Sequence, residues 1–299
     1  MYRARRVLIA AALMVLTMMM AGQTFAQKAW GAELNKTSLK LKTEETYTLK
    51  IGGVSSKDVK WKSSNKAVAK VSKKGKITAK SKGSAVITAT YEGQTYTCNV
   101  RVKLNRWDKL LKKYLKDEKT DRLMLVKYTG GTSCTFEMYK KKENADGLYW
   151  KKLFSCSGRV GKNGIDKQRE GDKKTPTGEF KTGAAFGLNK NPGTKIKYTV
   201  LNEYLYWSAV PGTYNTMVDR RNTSAYNGEH LSDYKGFYDY ALDIGYNTDC
   251  VYKKGSAIFL HCTVPGHNYT AGCVAIPTKY MKKVLRSITD KTMICIYKK

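Results

Sequence analysis

The sequence predicts a mainly β protein of two domains, a small β-sandwich followed by a larger β-rich domain with short helices. Alternating apolar and polar residues separated by glycine- or asparagine-containing turns are typical of short strands with one buried face. This alternation is clearest at 39–41, 47–51, 59–61 and 96–102, and short extended runs return from residue 123 onwards. Strands at this spacing favour a sandwich in the first part of the chain.

Residues 1–26 have the features of an export signal. Arg3, Arg5 and Arg6 precede an apolar run at 7–20, and Thr24-Phe-Ala26 supplies a small-residue cleavage site. An uncleaved membrane anchor is the alternative, although spanning a bilayer takes about 20 apolar residues. We therefore expect a secreted, cell-wall-associated protein with no membrane span after cleavage.

Positive charge dominates the composition. Lys and Arg number 55 against 24 Asp and Glu, and loss of the three signal arginines lowers the formal charge from +31 to +28. Such a surface attracts polyanions. An exported protein seldom meets nucleic acid, and the basic residues contain no recognition motif for it. The anionic wall of a Gram-positive-type envelope is the expected partner, unless the lysines serve only solubility.

The predicted sandwich covers residues 34–103. Its segments 59–71, 75–79 and 83–89 resemble the bacterial immunoglobulin-like group 2 domain of surface proteins. Over 34–103 there are 16 Lys and Arg against 4 Asp and Glu. The module is therefore expected either to hold the protein against an anionic wall or to act as a passive spacer.

An amphipathic helix is predicted to link the domains over residues 104–121. Trp107, Leu110, Leu111, Tyr114 and Leu115 have helical spacing, and we expect their apolar stripe to pack on a neighbouring sheet. In the second domain, 122–299, strands are predicted at 123–129, 134–140 and 148–155. A helix at 278–287 and a closing strand at 292–297 complete it, and the Tyr-rich segment 189–235 is expected to form binding loops.

The chemistry is concentrated in residues 258–277. A short apolar run ends on His261, a Pro/Gly/Asn loop follows, and the chain returns through Gly272 and Cys273 into a second apolar run. A nearby imidazole can raise the thiolate fraction of a cysteine and later return the proton to a leaving amine. Gly272 allows close approach of the backbone and could contribute to an oxyanion hole.

Two structural alternatives remain open for these residues. Cys273 and His261 could simply be buried core residues. The four side chains His261, Cys262, His267 and Cys273 could also bind zinc, but they lack the paired C-x-x-C spacing of structural zinc sites.

Three motifs resemble the L,D-transpeptidase (YkuD-type) catalytic domain. They are Leu260-His261 followed by 270–277, the segment Gly171-Asp-Lys-Lys-Thr-Pro-Thr-Gly-Glu-Phe180, and 240–247. Two departures accompany the match: Ala271 stands where many members have histidine, and Val274-Ala275 occupy the region of their arginine. The resemblance implies a β-rich fold, Cys273 as acylated nucleophile and His261 as its proton donor and acceptor. It also implies substrate contacts at Tyr246, Asn247, Thr270 and His230.

The resemblance implies an exported peptidoglycan L,D-transpeptidase without metal or organic cofactor. Cys273 would displace D-alanine from a stem tetrapeptide, and the amine of a second stem would resolve the thioester into a 3-3 cross-link. Two other functions stay open, an L,D-carboxypeptidase that uses water as acceptor and a non-catalytic wall-binding protein.

Seven cysteines leave at least one unpaired within a single chain. Cys134 and Cys156 lie on the two arms of a predicted hairpin and could form a disulfide. Four others, Cys98, Cys250, Cys262 and Cys295, lie in apolar strand patterns and are as readily explained as core residues.

Overall fold

The computed structural model describes residues 32–224 and 227–299. It confirms the mainly β class, while the predicted signal at 1–26 lies outside the described residues. Among the residues described, no helix has the length and apolar character needed to cross a membrane. The chain divides into two compact units, and the boundary follows Arg106.

The first unit packs two sheets around its own core. One sheet has the order β1 (Ser38–Lys42), β7 (Gln94–Lys103), β6 (Gly83–Tyr91) and β3 (Lys60–Ser63); the other has β2 (Thr46–Thr48), β5 (Lys76–Ala79) and β4 (Ala69–Val71). Alternate residues such as Val100 and Val102 face inward, where Ile77 and Ile87 are fully buried. The predicted β-sandwich is therefore present.

The second unit contains the remaining strands. They are β8 (Arg122–Gly130), β9 (Ser133–Asn144), β10 (Gly147–Arg159), β11 (Gly178–Lys181), β12 (Ala185–Gly187), β13 (Tyr198–Val200), β14 (Leu205–Ser208), β15 (Met217–Asp219), β16 (Gly228–His230), β17 (Ala241–Asp243), β18 (Phe259–Cys262), β19 (Val274–Ile276) and β20 (Thr292–Lys298). Within the described residues, one sheet runs in the order β11-β20-β8-β9-β10-β19-β18-β17-β12-β13. The predicted meander over β8, β9 and β10 is confirmed by their antiparallel pairing.

Two helices pack against this sheet. Helix α1 (Arg106–Leu115) buries Trp107, Leu110 and Tyr114 against residues of β8, β9 and β20, which confirms the predicted docking of its apolar stripe. The helix ends at Leu115, short of the predicted residue 121, because 116–121 form a turn in which Thr120 Oγ1 donates to Asp117. Helix α2 (Thr278–Ser287) has its predicted bounds and buries Met281, Val284 and Leu285.

The segment 189–235 is more ordered than its sequence suggested. Strands β15, β14 and β16 form a small antiparallel sheet within it, which explains why so irregular a stretch still holds buried aromatic residues. Strand β14 carries Trp207, which packs on Phe186 and Phe259. This small sheet forms one wall of the cavity described below.

All seven cysteines are free thiols in the structure. Cys134 lies opposite Gly158 and Cys156 opposite Phe136 in the β9–β10 ladder, so the two cysteines are diagonal neighbours. The suggested Cys134–Cys156 disulfide is thus absent. Cys250 also differs from expectation, because it lies in a turn with φ of 54° and is only half-buried.

Candidate active site

A cavity of about 550 Å³ opens in the second unit beside the ends of β18 and β19. Cys273 and His261 both line it, together with Lys167, Trp207, Glu229, Phe237, Tyr238, His267, Thr270 and Ala271. The cavity therefore brings together the two residues that the sequence analysis predicts as nucleophile and base.

Strand register explains why these two side chains share the cavity. Strands β18 and β19 are parallel, with Leu260 opposite Val274, which puts Cys273 beside Phe259. Successive side chains on a strand point to opposite faces. Leu260 and Cys262 accordingly lie in the core with Val274, while His261 lies on the cavity face. The suggested zinc set is divided between these two faces.

The Cys273 sulfur is a neutral thiol at rest. It donates to the Ala257 carbonyl at 3.2 Å and accepts from the Phe259 N–H at 3.3 Å. Burial raises the pKa of the Cys273 thiol to about 12, and the nearby Glu229 carboxylate adds to the increase. The Phe259 N–H and Lys167 oppose it by stabilising the thiolate.

His261 is held as a neutral base. Its Nδ1 lies 2.9 Å from the Cys262 carbonyl, which can only accept, so Nδ1 carries the proton and Nε2 has a free lone pair. Burial lowers the pKa of the imidazole to about 4, despite the bond to Cys262. The Cys262 carbonyl is thus the group that orients the His261 ring, and the sequence could not identify it because any residue type supplies a carbonyl.

No hydrogen bond joins the thiol and the imidazole in the described part of the chain. The thiol proton is instead directed to the Ala257 carbonyl. Catalytic hydrogen bonds are often long or misaligned without substrate and tighten in the complex. Any proton transfer between the two side chains would first require the thiol to leave the Ala257 carbonyl.

The backbone conformation and the close packing at position 272 both favour glycine. The φ of Gly272 is 151°, and a Cβ built there would lie 3.0 Å from both Ile258 Cδ1 and the Lys174 carbonyl. Its N–H donates to Thr270 Oγ1 at 3.2 Å, so this donor is engaged within the loop at rest. Glycine is therefore needed for close packing, whichever group binds an oxyanion.

Two threonine hydroxyls hold the Cys273 carbonyl. Thr270 Oγ1 donates to it at 2.7 Å and Thr175 Oγ1 at 3.0 Å, and Thr175 also accepts from the Gly161 N–H at 2.9 Å. Thr175 belongs to the segment 171–180, so this motif supports the backbone of Cys273 through a buried hydroxyl. The observed contacts make Thr270 a support of the loop; they do not test its predicted role in binding substrate.

Asp172 shapes the same motif. Its carboxylate accepts from the backbone N–H groups of Gln168, Arg169 and Lys174 and forms a 2.9 Å ion pair with Lys167. Despite its partial burial, these bonds hold the pKa of Asp172 far below its usual range. Lys167 also donates to the Arg169 carbonyl, which fixes a buried ammonium at the edge of the cavity.

Three of the predicted substrate contacts lie away from the cavity lining. Tyr246 donates to the Lys254 carbonyl and Asn247 bonds Val251 and Gly255, and both line a separate pocket. His230 stacks on Tyr206, and its ring nitrogens bond Asp233, Ser232 and the Glu203 carbonyl.

Glu229, the residue before His230, faces the cavity instead. Neighbouring residues on β16 point to opposite sides, so choosing between them required the strand register. Tyr238 is the other residue that sequence reasoning missed: its hydroxyl donates to Glu229, and its ring lies 5.6 Å from that of His261. No local motif marked either residue.

Comparison with known proteins identifies both units. The bacterial Ig-like domain (group 2) family matches residues 33–100, and the L,D-transpeptidase catalytic domain family matches residues 132–296. None of the curated proteins is close enough in sequence to match the chain.

Among solved structures, the chain is similar to an L,D-transpeptidase from Mycobacterium smegmatis, at 9% identity over 89% of this chain and 97% of that chain, with a TM-score of 0.28. It is similar to Mycobacterium tuberculosis L,D-transpeptidase 1 at 7% identity over 87% and 97%, with a TM-score of 0.27. These low scores carry no weight, whereas the second family match covers more than half of the residues. The chain therefore belongs to the family of proteins with an L,D-transpeptidase catalytic domain, here preceded by a bacterial Ig-like domain.

Proposed function

We propose that this protein is an exported peptidoglycan L,D-transpeptidase that uses Cys273 as nucleophile and forms 3-3 cross-links in the cell wall. The observation that carries the proposal is the shared cavity of Cys273 and His261, with Nδ1 of His261 fixed by the Cys262 carbonyl. This arrangement leaves Nε2 available to take a proton, as nucleophilic thiol catalysis requires.

The first half of the reaction forms a thioester. His261 Nε2 takes the thiol proton as the Cys273 sulfur attacks the carbonyl of the L,D bond in a stem tetrapeptide. Since burial favours the neutral thiol and imidazole at rest, proton transfer accompanies the attack. The resulting imidazolium protonates the departing D-alanine nitrogen, and the acyl group stays on sulfur.

The second half transfers the acyl group. The amine of a second stem attacks the thioester, His261 acts as base, and sulfur leaves as the new amide forms. In this proposal Gly272 contributes an oxyanion donor, and its N–H would exchange the Thr270 hydroxyl for the developing charge. Thr270 holds the loop while that exchange takes place.

The rest of the chain has a place in the same proposal. Residues 1–26 direct export, residues 34–103 form the Ig-like module, 104–121 link the domains and 122–299 carry catalysis. The substrate is the stem peptide of peptidoglycan, and the site of action is the cell wall. Affinity of the basic module for anionic wall polymers stays a prediction, motivated by its 16 Lys and Arg against 4 Asp and Glu.

Product analysis with purified stem tetrapeptide tests the proposal. We expect cross-linked dimer and free D-alanine, none of either from Cys273→Ala, and normal yields from Cys250→Ser, which alters a half-buried turn thiol. Tripeptide without dimer would instead mean carboxypeptidase activity. No product at all from the unaltered protein would contradict the proposed function.

A further inference from the structure

One acidic side chain that lines the cavity is assigned no step in the proposed formation of the thioester. Glu229 lies on β16 opposite Trp207 of β14 and lines the cavity that contains Cys273. Its carboxylate accepts a hydrogen bond from the Tyr238 hydroxyl. In the described residues it forms no ion pair, although the chain has 55 Lys and Arg.

Its environment suits a cation supplied from outside the chain. The nearby Lys167 is already paired with Asp172 at 2.9 Å. The aromatic side chains of Trp207, Tyr234, Phe237 and Tyr238 line the same cavity. Aromatic faces attract ammonium groups, and a desolvated carboxylate is costly unless it is paired. Carboxylate and rings together form the type of surface that binds an alkylammonium ion.

The position of Glu229 relates this surface to the reaction. Tyr238 contacts Glu229 through its hydroxyl, and its ring meets the ring of His261 edge-on at 5.6 Å. A cation held at Glu229 therefore lies in the same cavity as the sulfur and the base. Burial raises the pKa of Glu229 to about 7, which agrees with a carboxylate that lacks its cation in the free protein.

We propose that Glu229 determines acceptor specificity: its carboxylate binds the ammonium group of the incoming acceptor and favours acyl transfer to a primary alkylamine over transfer to water. This inference rests on the proposed function. As the amide forms, the C–N bond replaces the C–S bond. Of the two protons that the nitrogen loses, one passes through His261 to the Cys273 sulfur and the other goes to solvent.

The test measures how the thioester partitions between amine and water, a ratio that does not depend on how fast the thioester forms. Stem tetrapeptide is the donor, and the acceptors are ethylamine, which is cationic at neutral pH, and hydroxylamine, which is neutral. In Glu229→Gln we expect the amide-to-hydrolysis ratio to fall at least about tenfold with ethylamine and less than about twofold with hydroxylamine. Glu229→Asp should recover part of the loss.

A measurement on the unaltered protein covers the case in which the glutamine variant fails to fold. The tert-butylammonium ion, too hindered to attack, should compete with ethylamine, whereas neutral tert-butanol of the same shape should not. Equal effects of the two compounds, or equal losses with both acceptors in Glu229→Gln, would overturn the inference. If intact-mass analysis shows no acyl group on Cys273, the proposed function itself fails, so the two failures are distinguishable.

Discussion

Burial keeps both His261 and Cys273 uncharged in the resting cavity. The imidazole is neutral because a charged ring would lose its hydration, and its Nδ1 proton is committed to the Cys262 carbonyl. A neutral histidine that is tied on one side can only accept a proton on the other. In the proposed reaction, Nε2 is the atom that would take the thiol proton.

Because the pKa of His261 is lowered in the folded protein, the free energy of unfolding should decrease as the solution becomes more acidic. With the folded pKa at about 4 and the unfolded value at 6.5, its contribution is fully present above pH 6.5 and is lost as the pH falls towards 4. In His261→Gln, the decrease in unfolding free energy over this range should shrink by on the order of 3 kcal/mol. Denaturant titrations at several pH values measure it.

Asn268→Gln is the control, since it changes an exposed residue and removes no titratable group. Its unfolding free energy should fall with acid as much as that of the unaltered protein. If acid lowers the unfolding free energy of His261→Gln as much as that of the unaltered protein, His261 titrates alike in the folded and unfolded states.

Gly272 can be tested against a second glycine with positive φ. Gly272→Ala would introduce both backbone strain and overlap with the Lys174 carbonyl, and should cost about 3 kcal/mol of stability. Gly266→Ala, at φ of 82° with no atom within 4 Å of its Cβ, should cost about 1 kcal/mol. Thermal unfolding compares them, and equal losses would rule out the proposed overlap.

At the scale of elements, the segment 171–180 is bonded to the backbone of Cys273, just before β19 begins. Thr175 spans them through its bonds to the Gly161 N–H and the Cys273 carbonyl, and it is fully buried. The spacing of the segment 171–180 could be recognised in the sequence, but Cys273 lies 98 residues from Thr175. The contact between them could therefore be seen only in the folded structure.

Removing that hydroxyl should weaken the support. Thr175→Val keeps the shape but leaves a buried N–H without its partner, which should cost about 1–3 kcal/mol and slow acylation of Cys273. Thr177→Val, whose hydroxyl reaches the more exposed Asp166, should change stability by less than about 0.5 kcal/mol. Thermal unfolding and the rate of Cys273 acylation are measured for both variants. Equal stability and equal acylation rates would contradict a supporting role for the Thr175 hydroxyl.

The sequence predicted those parts of the site that depend on residues close together in the chain, and missed those that depend on residues far apart. Two apolar runs on either side of a Pro/Gly/Asn loop, together with the resemblance of residues 260–261 and 270–277, sufficed to predict His261 and Cys273 as a pair, because these signals are local in the sequence. Glu229 and Tyr238 lie on separate elements and reach the cavity only through strand register and long-range packing. The resemblance implied a substrate contact at His230, whereas the strand register directs its neighbour Glu229 into the cavity.

At the scale of the whole molecule, each unit has its own buried core. The first is centred on residues such as Ile77 and Ile87, the second on Phe136, Leu260 and Ile294. We expect a fragment that begins at Arg106 to fold cooperatively and to form the Cys273 thioester at a rate within about twofold of the full chain. Stopped-flow acylation measures this, and an unfolded fragment would show that the first unit is needed for folding.

Acylation by a carbapenem, followed by intact-mass analysis and peptide mapping, tests directly whether Cys273 is the nucleophile. We expect one adduct per chain, located on Cys273, absent from Cys273→Ala and retained in Cys250→Ser. An adduct on any other residue, or none on the folded protein, would contradict Cys273 as the nucleophile.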